Sequence, residues 1–341
     1  MKNYLKIIKL DEYSITPKYL QIYNAILKGI EEKYIVKDDV LPSITDLSIG
    51  LDVSRNTIER SYKDLKKHGV IGSIAGKGYF ITNTNFEQQV KVLLLFNKLS
   101  SHKKMIYDAF AKKLGKSAAI DFYIYNNDFI FFKKLLSEKA TQYAKVVLIP
   151  HFIEEDENAF ALINKLPKEK LVLMDKLIAG VTGNFAAVYE DFENDIYDAL
   201  HELVEKLSRY HTIKIIFPPN SYYSKSILSG FINFCTTFAF NYEVLPDITN
   251  ETLEKGVVYI NLMEDDLVEL IEKMMLDQLQ IGEDIGVISY NETPIKKIIL
   301  NGITTMSTNF TLMGEIAADM VLSNSTDHTR VPFSVISRNS L

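Results

Sequence analysis

The stretch 41–81, LPSITDLSIGLDVSRNTIERSYKDLKKHGVIGSIAGKGYFI, limits this chain more than any other. Ser43 can accept a hydrogen bond from the free amides that open a helix, and Leu47 is the inward residue of the short helix that follows. Gly50 is read as the break, with Leu51 and Val53 packing the turn. Ser54 caps a second helix, in which Ile58, Tyr62 and Leu65 recur at helical spacing and face inward. Gly69 stops it. Two short apolar runs, 70–74 and 79–81, flank a glycine-lysine-glycine turn. Capped helix, turn, capped helix, glycine stop and hairpin, in this order, make a winged helix-turn-helix.

The chemistry of the stretch suits a DNA duplex. From Ser54 to Gly78 there are six Lys/Arg against two acids. A reading helix offers its first turn to base edges, and an arginine there can bridge guanine O6 and N7, so Arg55 is the leading base reader. The other expected DNA contacts are Ser43, Thr45, Ser54, Asn56, Thr57, Arg60, Lys63, Gly76 and Lys77. Lys66 and Lys67 join Lys63 and Lys77 as cations for phosphate.

A chain of 341 residues is too long for one ordinary domain. Its net charge of −6 excludes a protein that coats nucleic acid indiscriminately. Residues 1–85 carry net +3, which leaves −9 on the rest: a small basic head on an acidic body. Cys235 is the sole cysteine and lies in an apolar run, which predicts a buried thiol and a reducing, cytoplasmic setting. The charged start, MKNYLKIIKLDEY, reads as neither signal peptide nor membrane span.

Residues 1–16 read as an arm. Thr16-Pro17 opens a first helix with an apolar stripe of Leu20, Tyr23, Ile26, Leu27 and Ile30. Pro17-Lys18-Tyr19-Leu20-Gln21-Ile22, Leu41-Pro42-Ser43, Val53-Ser54-Arg55-Asn56-Thr57 and Gly76-Lys77-Gly78-Tyr79-Phe80 together resemble the GntR family of bacterial transcription regulators over about 16–82. The resemblance implies two further DNA-approaching positions, which fall here on Glu59 and Thr45; neither is a cation. The expected division is a DNA-binding head at 1–82, a polar linker at 83–89 that lets the head move, and an effector-binding body at 90–341.

From Val90 strands and helices alternate. The strands are expected at 90–96, 119–125, 145–150, 171–174, 213–217, 257–261 and 285–289, with helices that include 192–207, 224–236 and 265–275. Such alternation builds parallel sheets, and there are strands enough for two in series. Leu171-Val172-Leu173-Met174-Asp175-Lys176, Ser229-Gly230-Phe231, the run from Glu283 to Pro294 and the closing Val335-Ile336-Ser337-Arg338-Asn339-Ser340 resemble the LacI-type sensor, a two-lobed periplasmic-binding-protein-like (type I) fold. The expected fold class is therefore multidomain, a winged-helix head on a two-lobed α/β body.

Ligands of such bodies bind between the lobes, at loops following the carboxyl ends of strands. The loops expected to line the cleft supply Phe96, Asn97, Ser101, His102, Asn126, His151, Phe152, Asp175, Asp191, Tyr222, Tyr223, Asn261 and Asn291. Amides, hydroxyls and aromatic rings suit a sugar, whose hydroxyls want donors and acceptors and whose C–H faces want rings. The LacI resemblance places a ligand-gripping arginine where this chain has Ile227, with Lys225 nearby as a substitute, and so points to a neutral monosaccharide.

The six histidines show no metal-ligand spacing, and no nucleophile elbow, Walker loop or dinucleotide glycine motif occurs. No cofactor or metal is expected. The leading reading is a homodimeric, sugar-responsive repressor on a palindromic operator. The alternatives are a carbohydrate-acting enzyme fused to a DNA-binding head and an architectural DNA-binding protein with a vestigial cleft.

Overall fold

The structure, a computed structural model, describes residues 4–74, 76, 78–84, 89–152, 157–219 and 223–341. Lys77, Tyr222, the middle of the expected linker and the acidic run 154–156 lie outside the described residues.

The head opens with a short helix, α1 (Tyr4–Ile7), and an extended arm that leads into α2 (Lys18–Glu31). Strand β1 (Val40–Leu41) precedes α3 (Ile44–Leu51) and α4 (Arg55–Lys67), and the wing is β2 (Ile71–Ile74) with β3 (Gly78–Ile81). β3 lies between β1 and β2, antiparallel to both. Ile22, Tyr23, Ile26, Leu27 and Ile30 of α2 pack on Leu47, Ile58, Tyr62 and Leu65, so the expected stripe buttresses the reading pair. Leu20 is only partly buried at its edge.

One local reading is corrected. Gly50 does not break the first reading helix but lies inside α3; Asp52, with φ of 50°, makes the left-handed turn. Gly50 is small because Leu5 crosses there: a Cβ would lie 2.6 Å from Leu5 Cδ2. Gly69 does adopt the left-handed conformation expected of a helix stop, with φ of 70°.

The body is two parallel sheets. Lobe I contains β4 (Val90–Phe96), α5 (Ser101–Leu114), β5 (Ala118–Ile124), α6 (Phe129–Lys139), β6 (Lys145–Leu148), α7 (Glu157–Asn164), β7 (Leu171–Asp175) and β8 (Ala186–Tyr189). The chain then crosses to lobe II for α8 (Phe192–Glu202), α9 (Val204–Leu207), β9 (Thr212–Ile216), α10 (Ser226–Thr237), β10 (Asn241–Leu245), β11 (Val257–Asn261), α11 (Glu264–Leu276), β12 (Ile285–Tyr290) and β13 (Thr304–Thr308). It returns to lobe I for α12 (Phe310–Ser323) and β14 (His328–Arg330), and ends in lobe II with β15 (Phe333–Ile336).

The sheet orders are β14-β8-β7-β6-β4-β5 and β10-β9-β11-β12-β13-β15. All pairings are parallel except that of β13 with β15. Strands such as β4, apolar on both faces, sit between helices on both sides, as doubly covered parallel sheets require. The expected helix 192–207 is interrupted at Leu203, and β8, β10, β13, β14 and β15 were not expected from the pattern. Their apolar runs are short, and β10 is exposed along most of its length.

Helix crossings rest on two glycines. A Cβ on Gly230 of α10 would stand 2.1 Å from the carbonyl oxygen of Glu193 in α8. One on Gly314 of α12 would stand 2.4 Å from that of Ile106 in α5. Both pairs of helices pack backbone to backbone, which only glycine permits here.

Candidate functional site

Two regions offer chemistry. The first is the reading face of the head. Ser43 Oγ accepts from Asp46 N at 3.1 Å and opens α3, while Ser54 Oγ accepts from Thr57 N at 3.2 Å and opens α4. Both serines therefore act as caps, with their hydroxyls already partnered by Asp46 and Thr57. Thr45, Arg55, Asn56 and Lys63 are exposed, and Thr57 is partly so. Arg55 stands in the first turn of α4 and makes no ion pair among the described residues. Lys66 Nζ donates to Ser73 Oγ at 2.7 Å, tying the reading helix to the wing. Gly76 is left-handed, with φ of 80°.

Arg60 differs from the other cations. Its guanidinium lies 3.8 Å from the centre of the Tyr19 ring and donates to Tyr19 Oη at 3.0 Å. It is exposed but held against α2, so part of its role is to join the two helices.

The second region is the cleft between the lobes. Its walls are His102, Lys103, His151, Asp175 and Glu190 from lobe I, Tyr223, Ser224, Tyr290 and Asn291 from lobe II, and Phe192 and Phe310 from the crossings. Its volume is about 30 Å³, the scale of a water molecule rather than a sugar. Any larger ligand therefore requires the lobes to part.

At its centre Asp175, at the end of β7, takes a φ of 75° and turns its carboxylate inward. Oδ2 lies 3.1 Å from His151 Nε2 and 3.5 Å from Lys103 Nζ. Lys103, only 2% exposed, also donates to Asn97 Oδ1. Asn97 in turn donates to Asn127 Oδ1 at 2.8 Å. Although burial opposes it, the neighbouring His151 and Lys103 hold the Asp175 carboxyl well below the usual range. Burial pushes Glu190 well above its usual range, and the Asp175 charge beside it adds to the rise. Burial lowers both histidines, His102 to about 3. Burial also lowers Lys103, and the Asp175 carboxylate beside it opposes that shift.

Two polar atoms in this wall have no hydrogen-bond partner among the described residues, Tyr290 Oη and Asn291 Oδ1. Both residues are buried, and Asn291 is left-handed, with φ of 65°. Lys296 Nζ donates to the carbonyls of Tyr290, at 3.0 Å, and Asn291, at 2.7 Å, and so fixes this turn from behind.

The structure brings His102, His151, Asp175, Tyr223 and Asn291 together as expected of one cleft. Several other expected contacts lie elsewhere. Phe96 is in the lobe I core, its ring 4.9 Å from that of Phe122. Asn97 supports Lys103 from behind. Ser101 and Asn126 are exposed, the latter in a left-handed turn. Phe152 packs on Tyr125, Phe129 and Phe132. Asp191 accepts from Asn194 at 2.8 Å near Arg330, and Asn261 donates to Met263 O and Ser289 Oγ. In each case the strand-end rule found the right end of the sheet, but the side chain turns into the lobe or out to solvent.

Lys103, Glu190, Phe192, Ser224 and Phe310 complete the wall without having been singled out as contacts. Lys103 closes an expected loop, but a lysine one turn into a helix reads as solvated. Glu190 follows β8, a strand the pattern did not disclose, and Phe310 follows a crossing visible only once the lobes are assigned. Ile227 is buried in the lobe II core and Lys225 is exposed, so the cation in the cleft comes from lobe I.

The described residues include no cluster of three or more His, Cys, Asp or Glu able to hold a metal ion. Nor is any helix among them long and apolar enough to cross a membrane.

Comparison with known proteins covers both the head and the body. Residues 18–81 match the family model of bacterial regulatory proteins, gntR family. The HTH-type transcriptional repressor YtrA of Bacillus subtilis (strain 168) is 31% identical over 100 residues, 29% of this chain and 72% of that one. The uncharacterized HTH-type transcriptional regulator YhcF of the same organism is 35% identical over 68 residues, 20% of this chain; the chain spans 56% of its length. The body superposes on the lac repressor dimer bound to operator and the anti-inducer ONPF, with a TM-score of 0.61 at 14% identity, covering 74% of this chain and 94% of that one. It also superposes on a periplasmic binding protein/LacI transcriptional regulator from Alkaliphilus metalliredigens QYMF complexed with D-xylulofuranose, with a TM-score of 0.57 at 12% identity, covering 74% and 99%. These likenesses give the body its fold. The chain belongs to the GntR family of bacterial regulatory proteins, a family of transcription regulators rather than enzymes, and joins that winged-helix head to a two-lobed body with the fold of the lac repressor.

Proposed function

We propose that this protein is a transcription repressor whose head binds a palindromic operator as a homodimer and whose interlobe cleft binds a small neutral sugar that alters operator binding. The observation that carries the effector reading is the pair of buried atoms in the cleft wall, Tyr290 Oη and Asn291 Oδ1, that have no hydrogen-bond partner among the described residues. A phenol hydroxyl can donate and an amide oxygen can only accept; a ligand hydroxyl meets both needs. Phe192, Tyr223 and Phe310 supply apolar faces for a sugar's C–H surfaces.

The DNA reading rests on Arg55, exposed and unengaged at the start of α4. Two copies of α4 about one helical turn apart would read two half-sites. Effector binding changes operator affinity only insofar as the effector prefers one arrangement of the lobes. The test is a gel shift of the full chain on its own upstream DNA, paired with a melting screen against monosaccharides, deoxyhexoses included. Retardation that one sugar weakens, with the same sugar raising the melting temperature, is the expected outcome. No retardation at low salt removes the DNA half of the reading. Chemical turnover of the sugar favours a carbohydrate-acting enzyme instead.

A further inference from the structure

The arm between α1 and α2 crosses from the head to lobe I. Strand β5 is the edge of the lobe I sheet, and edges offer unpaired amides and carbonyls. The arm takes them. Ile15 N donates to Phe122 O at 2.8 Å, and Phe122 N donates to Thr16 Oγ1 at 2.8 Å. Ser14 Oγ and Thr16 Oγ1 donate to Phe122 O and Ile120 O, each at 3.3 Å.

Further side chains reinforce this contact with the sheet edge. Asp11 Oδ2 accepts from Lys139 Nζ at 2.5 Å and from Tyr123 Oη at 2.8 Å, and the Tyr13 ring packs edge-on against Phe131. Gln21 of α2 ties the arm back to the head: its Oε1 accepts from Asp11 N at 2.8 Å and its Nε2 donates to Thr16 O at 2.8 Å. A cavity of about 940 Å³ lies between the head and lobe I, with Asn24, Lys28 and Tyr34 on the head side and Ala119, Asp121 and Tyr143 on the lobe side. Across the gap Lys91 pairs with Glu31, both partly exposed and so weak.

We infer that residues 11–16 are a latch that fixes the winged helix to the first lobe by hydrogen-bonding along the edge of its sheet, so that the head moves with lobe I rather than swinging on the linker. The docked head leaves Thr45, Arg55 and Lys63 exposed, so the latch transmits position and does not block reading. Movement of lobe I about the cleft would then carry the reading helix with it. This inference is independent of which ligand the cleft takes.

The test measures the distance between head and lobe I in the full chain by spin labels at Lys63→Cys and Lys133→Cys, both exposed. Cys235 is the sole native cysteine and is buried, so it stays unlabelled. A narrow distribution is expected, broadening with Ile15→Pro, which removes the donor to Phe122, and with Asp11→Ala, which frees Lys139 and Tyr123. Amide exchange gives a second readout that a merely unfolded head would not mimic. Phe122 N should lose protection in Thr16→Ala while the amides of α4 keep theirs. A broad distribution in the unaltered chain overturns the latch, as does a narrow one that survives both Ile15→Pro and Asp11→Ala.

Discussion

The reading face and the interlobe cleft use polar side chains in opposite surroundings. On α4, Arg55, Asn56 and Lys63 are exposed to solvent. In the cleft, Lys103 and Asp175 are both buried and face each other at 3.5 Å, with Asn97 and His151 taking remaining hydrogen bonds. A substitution on the reading face should therefore change binding and leave stability alone. A substitution in the cleft should change stability first. That contrast can be broken or sharpened in four ways.

The largest effect is expected from Lys103→Met. It leaves the Asp175 carboxylate buried without its lysine, and loss of one partner of a buried pair costs about 3–5 kcal/mol. Urea unfolding measures it, and a loss below about 1 kcal/mol would place the pair in solvent rather than in a closed cleft.

Next comes pH. The folded protein holds His102 at about 3, against 6.5 when unfolded, so the unfolded chain binds more protons between those values. Stability is expected to fall as pH drops from about 6.5 towards 3, with His151 acting in the same sense. Glu190 works the other way: its raised folded value makes its contribution full below the unfolded carboxyl range and lost as pH rises through the folded value. A melting profile with a maximum between the two limbs is expected, and His102→Phe should flatten the acid limb.

Arg55→Ala should weaken operator binding by about 1–3 kcal/mol, roughly tenfold to a hundredfold, with an unchanged melting temperature. If the melting temperature falls as well, the guanidinium has a role within the fold. The smallest effect is that of Ser54→Ala. Losing the cap of α4 costs the head about 1 kcal/mol. Hydrogen exchange confined to α4 should report it, with the body unaffected.

Much of the head could be read in one dimension. Its signals are local: a cap, a period of 3.6, a glycine, a cation, all within a few residues of each other. Ser43, Ser54, Ile58, Tyr62 and Leu65 accordingly occupy the places their spacing assigned. Gly50 was the exception because its reason is not local; it makes room for Leu5, far away in the chain. The strands of the body were legible where apolar runs were long, as in Val90–Phe96 and Val257–Asn261. Short or exposed ones such as Ala186–Tyr189 were not, and Glu190 was missed with them.

Residue order settled the choice of elements, because hydrophobic period, caps and glycine stops act between near neighbours. It also settled that a basic reading head precedes an acidic two-sheet body. Which polar groups meet was left to the packing of the lobes, because Lys103, Asp175, Glu190 and Asn291 lie on four separate segments and a one-residue turn decides whether each faces the cleft or the core. The docking of the arm on β5 belongs with these: Thr16 and Phe122 are joined by hydrogen bonds across more than a hundred residues, and nothing in either neighbourhood names the other.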